Sequence, residues 1–133
     1  MTEITRIQPD GLFANPAYTH VVTAVSGRTV YISGQVSIDA NGAVVGVGDI
    51  GAQTSQVMRN LGTALASVGA TFSDVVKITT FVVGYQPQHR AVIGAARTPF
   101  FEAGKPPAST LVGVAALALP DWLVEIEAVA VID

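Results

Sequence analysis

The chain contains no cysteine and only two histidines among its 133 residues. The first absence excludes a thiol nucleophile and a disulfide framework. The second leaves a His-rich zinc site without enough ligands, so neither a metal nor a cofactor is expected. Charge is scarce too: 13% of residues are charged, 7 Lys and Arg stand against 10 Asp and Glu, and the formal net charge is -3. A net acidic chain without a basic cluster offers no footprint for a phosphate backbone, and no nucleic-acid partner is expected. No uninterrupted apolar run reaches the roughly 20 residues that a membrane span requires. The opening MTEITRIQPD lacks the charged-then-apolar pattern of an export signal, so the expected location is the cytoplasm, with no membrane partner.

What is abundant is apolar. Half of the residues are hydrophobic, a surplus for a small monomer whose surface must stay hydrated, and it points to surface buried against other copies of the chain. The length suits one domain over residues 1–133 and leaves no room for a second module.

Patterning predicts the elements. Thr2 to Gln8 reads as a first strand ended by Pro9-Asp10-Gly11, and Leu12 to Tyr18 as a loop. His20–Val25 and Thr29–Ser33, joined by Ser26-Gly27-Arg28, predict a hairpin. Val36–Ile38 and Ala43–Val47 flank a turn at Asp39–Gly42. Asp49 is a good N-cap for a helix over Ile50–Val68, whose apolar residues recur at helical spacing before Gly69. The β-branched run Val75–Val83 predicts a central strand, and Arg90–Ala103 a second helix bent at Pro99. Two strands follow, Ser109–Ala115 and Trp122–Ile132. In the last, Val124, Ile126, Ala128, Ala130 and Ile132 share one face, while Glu125, Glu127, Val129 and Val131 share the other. The predicted architecture is α+β, with helices on one face of a mixed six-stranded sheet.

Taken in order, Ile32-Ser33-Gly34-Gln35, the helix from Ile50, Ser73 to Val82, Phe100-Phe101 and Val124 to Ala130 resemble the Rid family, also called YjgF/YER057c/UK114. The resemblance spans nearly the whole chain. It implies a chorismate-mutase-like fold and a homotrimer with a small-molecule ligand in a cleft between subunits. RidA, the best-known branch, hydrolyses enamines and imines formed from amino acids, releasing ammonia and a 2-keto acid. By resemblance Tyr18, Ser33 and Gly34 would line the pocket and Glu125 would hold water as the catalytic group. The arginine that grips the substrate carboxylate in RidA has no counterpart, because the chain reads Pro107-Ala108-Ser109-Thr110 there. Gly94 stands where RidA carries an asparagine. Ser109 and Thr110 are then substrate-binding candidates, but a serine hydroxyl offers one neutral donor where an Arg–carboxylate fork supplies two charge-assisted bonds. Arg97 and Lys105 are the cations that could act from another direction, Lys105 being more simply a solvated loop residue.

Two function classes remain open on these grounds. One is a hydrolase or deaminase acting on an imine- or enamine-like metabolite without the RidA arginine–carboxylate mechanism. The other is a non-catalytic protein that binds or senses a small metabolite. Ribonuclease activity, attached to some family members by name, finds no support in an acidic chain without basic clustering. His20 and His89 are expected at the surface, Trp122 as a packing aromatic, and Glu127 either in the site or paired across a subunit contact.

Overall fold

The computed structural model describes every residue from Met1 to Asp133. Its elements are β1 (Glu3–Ile7), β2 (Val21–Val25), β3 (Arg28–Gln35), α1 (Ile50–Ala66), β4 (Val75–Val83), α2 (His89–Arg97), β5 (Ala108–Val114) and β6 (Val124–Ile132). The fold is α+β. β3, β6, β4 and β5 form a four-stranded mixed sheet in that order, and β1 and β2 form a separate antiparallel pair. The parallel partners β4 and β5 require a crossover, which α2 provides.

β6 is paired on both edges, antiparallel to β3 and to β4. Its alternation decides which side of the sheet the helices cover. Val124, Ile126, Ala128, Ala130 and Ile132 are buried. They join Val57, Met58, Leu61 and Leu65 of α1, Ile93 of α2, and Ile78 and Val82 of β4 in one core. The alternate residues of β6 and their cross-strand neighbours face away from the helices. On that face Glu125 lies opposite Phe81, and Glu127 opposite Thr79. Phe81 and Thr79 in turn pair with Val112 and Thr110 of β5. Helical residues do not cover this second face, which still carries apolar side chains: Tyr31 is 80% exposed and Val112 37%.

A buried glutamine holds the approach to β6. Gln53 of α1 is fully buried; its amide nitrogen donates to the carbonyls of Gly46 (3.1 Å) and Asp121 (2.9 Å), and its oxygen accepts from the Leu123 N–H (2.9 Å). Asn60, about two turns further along α1, donates to the carbonyls of Val36 (3.0 Å) and Ile38 (2.9 Å). The segments entering β6 and leaving β3 are thereby tied to the same helix.

Several elements differ from the pattern-based expectation. The six strands divide four and two rather than forming a single sheet. β2 and β3 do not pair as a hairpin, although Ser26 (φ 64°) and Gly27 (φ 103°) both adopt the left-handed backbone of a two-residue turn. β2 is registered on β1, β3 on β6, and Gly27 lies so close to the Ile132 carbonyl that a Cβ would collide with it. The short strands expected at Val36–Ile38 and Ala43–Val47 reduce to a single bridge between Ile38 and Val44. The second helix ends at Arg97 instead of Ala103 and passes into a 3-10 turn over Thr98–Phe100, because Pro99 has no N–H to continue the ladder. By contrast Asp49 caps α1 as expected, accepting from the Ala52 N–H at 3.0 Å.

Two substitutions test this account by denaturant unfolding. Ile126→Ala, at a site with no exposure, is expected to cost about 2–5 kcal/mol. Gln53→Leu leaves two carbonyls and one N–H without their partner and is expected to cost roughly 1–3 kcal/mol for each group that stays dry. A loss well under 1 kcal/mol in either variant would contradict the packing described.

Candidate functional site

A cavity of about 330 Å³ opens between α2 and β5 on the helix-covered side, lined by Tyr18, Arg90, Arg97 and Ser109 with Ile93 and Leu111 as apolar walls. Ser109 faces this side because it is registered with the buried Ile78. Tyr18 reaches it through its neighbour: Thr19 is buried, its hydroxyl donates to the Pro106 carbonyl at 2.5 Å, and its N–H donates to the Pro107 carbonyl at 3.1 Å. Those two bonds clamp the loop before β2 onto the segment that leads into β5. Tyr18 also packs edge-on against His20, with ring centroids 5.1 Å apart.

Arg97, the last residue of α2, lines both this cavity and a smaller one of about 70 Å³, and Ser109 lines both with it. The guanidinium makes one long hydrogen bond, 3.5 Å to the Thr80 hydroxyl. Burial pulls its pKa below the ordinary arginine value, though a guanidinium remains protonated at neutral pH. Lys105 is exposed and ion-paired to Glu102 at 3.4 Å. Of the two cations that could stand in for the missing arginine, Arg97 is the one beside Ser109.

The other candidates gather on the opposite face of the sheet. The ladder between β3 and β6 shifts register between Ile32 and Gln35, and the Glu125 carboxylate lies over Gly34 within this irregularity. A Cβ at position 34 would overlap the carboxylate. Gly34 is therefore an absent side chain that makes a seat for a carboxylate, and Ser33, exposed, stands next to it. Thr110 follows Ser109 along β5 and so points the other way, where the Lys77 ammonium donates to its hydroxyl at 2.6 Å. Glu127 occupies the same face as Glu125, with no ion pair.

One chain thus holds the candidates in two groups. Tyr18 and Ser109 share the cavity under α2, while Glu125 lies two strands away from β5 and Ser33 and Gly34 three, on the other face of the sheet, with Thr110 also on that second face. His20 is turned to the Phe13 carbonyl (2.7 Å) and His89 accepts from the Gln86 N–H (3.0 Å), so both rings are engaged locally. Trp122 is packed, with its indole nitrogen buried and unpartnered. No three His, Asp or Glu side chains converge as a metal site would need. No helix is long and apolar enough to cross a membrane. Arg90 and Thr19 escape the sequence pattern. Arg90 had a legible signal, since positions 90 and 97 fall on one face of a helix, whereas Thr19 acts through carbonyls remote in sequence.

Comparison with known proteins agrees with the fold. The family model described as Endoribonuclease L-PSP matches residues 10–132. The protein DfrA of Myxococcus xanthus is 36% identical over 116 residues, which cover 86% of this chain and 84% of DfrA. The mouse 2-iminobutanoate/2-iminopropanoate deaminase is 38% identical over 104 residues, 78% of this chain and 74% of the deaminase. Among solved structures, the Rid-family protein YyfB of Yersinia pestis, of unknown function, superposes with a TM-score of 0.93 at 44% identity, covering 97% of this chain and 98% of YyfB. TdcF of E. coli with bound serine superposes with a TM-score of 0.69 at 27% identity over 79% of this chain and 81% of TdcF. With the match running through both helices and all strands but the first, the chain belongs to the Endoribonuclease L-PSP family, the Rid or YjgF proteins.

Proposed function

We propose that this protein hydrolyses the C=N bond of a small imine- or enamine-derived metabolite in a cleft completed between the copies of a homotrimer, with Glu125 handling the proton of water. The seat of Glu125 over Gly34 is the observation that supports it most. A carboxylate seated against the backbone of a neighbouring strand, on a face it shares with Phe81 and Val112, is positioned to act on water rather than to solubilise the surface. The chemistry balances without a cofactor. Water adds through oxygen to the imine carbon as Glu125 takes one proton, the C=N π electrons move to nitrogen, and Glu125 returns that proton to nitrogen to give a carbinolamine; Glu125 then carries the hydroxyl proton to nitrogen as the C=O bond forms and the C–N bond breaks, leaving a carbonyl compound and ammonia. The printed activity of the mouse relative, an imine deaminase, supports the same class of reaction.

A second copy is required by this reading, since the two groups of candidates lie on opposite faces of one sheet. The uncovered face, with Tyr31, Phe81 and Val112, is the apolar surface such an assembly would bury. Ser109 in place of arginine sets the mechanism apart from that implied for RidA.

Light scattering at micromolar concentration is expected to return three times the 13.7 kDa chain mass; a monomer would overturn the shared cleft. Imines generated in situ from amino acids, with ammonia release as the readout, test the chemistry. Glu125→Gln is expected to lower the rate about 10²–10⁴-fold while binding survives. Gly34→Ala should act in the same direction, displacing the carboxylate with little loss of stability. Ligand binding without turnover by the unaltered protein would refute hydrolysis in favour of a binding role.

A further inference from the structure

We infer that the cavity between α2 and β5 is a subsite for a small organic dianion of the dicarboxylate class, with Arg97 holding one acidic group and Arg90 the other. The inference rests on the preceding reading only in taking this cavity as part of the reaction site; binding itself needs no chemistry.

Residues 90 and 97 are about two turns apart, on one face of α2 and roughly 10 Å apart along its axis. Between them stands Gly94, where an added Cβ would meet nothing within 4 Å, so the cavity runs open from one guanidinium to the other. Within one chain neither arginine has a carboxylate partner, since the single ion pair joins Lys105 to Glu102. Glu102 borders the smaller cavity but is held by that pair, and Glu125 lies across the sheet. Arg97 spends one donor on Thr80 and keeps the rest of its five for a ligand. A half-buried cation without a counter-ion carries a desolvation cost that an incoming carboxylate offsets with charge-assisted hydrogen bonds. Ile93 and Leu111 suit a short carbon chain joining two acidic ends, and about 330 Å³ lies at the small end of ligand pockets. Arg90 is exposed and Arg97 half-buried, so the pair has one arm at the mouth and one at the base. A monoacid satisfies only one of them.

Calorimetric titration of the full chain with glutarate and with pentanoate, equal in carbon number, tests the assignment. Glutarate is expected to bind about tenfold or more tighter. Arg90→Gln should bring glutarate down to the pentanoate level, and Arg97→Gln should weaken both acids. Arg97→Lys, which keeps the charge and loses the fork, should fall between. Melting curves establish that each variant is folded. Equal affinity for the two acids, binding of neither, or a glutarate preference that survives Arg90→Gln would each overturn the assignment. Turnover with no diacid preference defeats this inference alone, and diacid binding with no turnover of any imine defeats the hydrolytic reading alone.

Discussion

The placement of β6 between β3 and β4 is the constraint on which the rest of the structure depends. A strand paired on both edges cannot rotate, so its alternation assigns each side chain to one face of the sheet. Apolar residues at even positions from Val124 to Ile132 commit that face to the helices. Glu125 and Glu127 are then turned to the other side without any further interaction to direct them. A slip of one residue would bury both carboxylates beneath α1, at a cost no packing could offset. Gln53 and its three hydrogen bonds at the entrance to β6 guard against such a slip.

From this partition come two environments with opposite charge. The uncovered face holds a carboxylate over a glycine, while the covered side holds two arginines around a cavity. Each is locally unfavourable: Arg97 is partly desolvated without a counter-ion in its own chain, and Tyr31 and Val112 stand exposed on the face that carries Glu125. Departures of this kind concentrate where a protein meets its ligands and its partners, since stability alone would have removed them. Their separation by the thickness of a sheet keeps Glu125 from neutralising Arg97 within one chain.

The missing arginine also takes a different meaning in three dimensions. In the linear chain, Ser109 stands where the family resemblance puts a guanidinium, and the site looks stripped of its cation. In the folded chain Arg97 borders the same two cavities as Ser109, delivered from α2 instead of from β5. On the reading proposed above, α2 supplies the cation that β5 lacks.

The sequence by itself determined what is local and periodic. Asp49 marked the start of α1 through its side-chain oxygen, the β-branched run Val75–Val83 became β4 with the same bounds, and the alternation after Trp122 identified both faces of β6. The ordered motifs carried the family as well. The tertiary structure alone decided which strands pair, and it set β2 on β1 and β3 on β6, although Ser26 and Gly27 carry the backbone of a tight turn between β2 and β3. It likewise decided that Glu125 meets Gly34, that Thr19 draws Tyr18 to Ser109, and that Arg97 fills the place beside that serine. Each of these joins residues distant along the chain, where no periodicity reaches; only the closed packing of helix on sheet makes them neighbours.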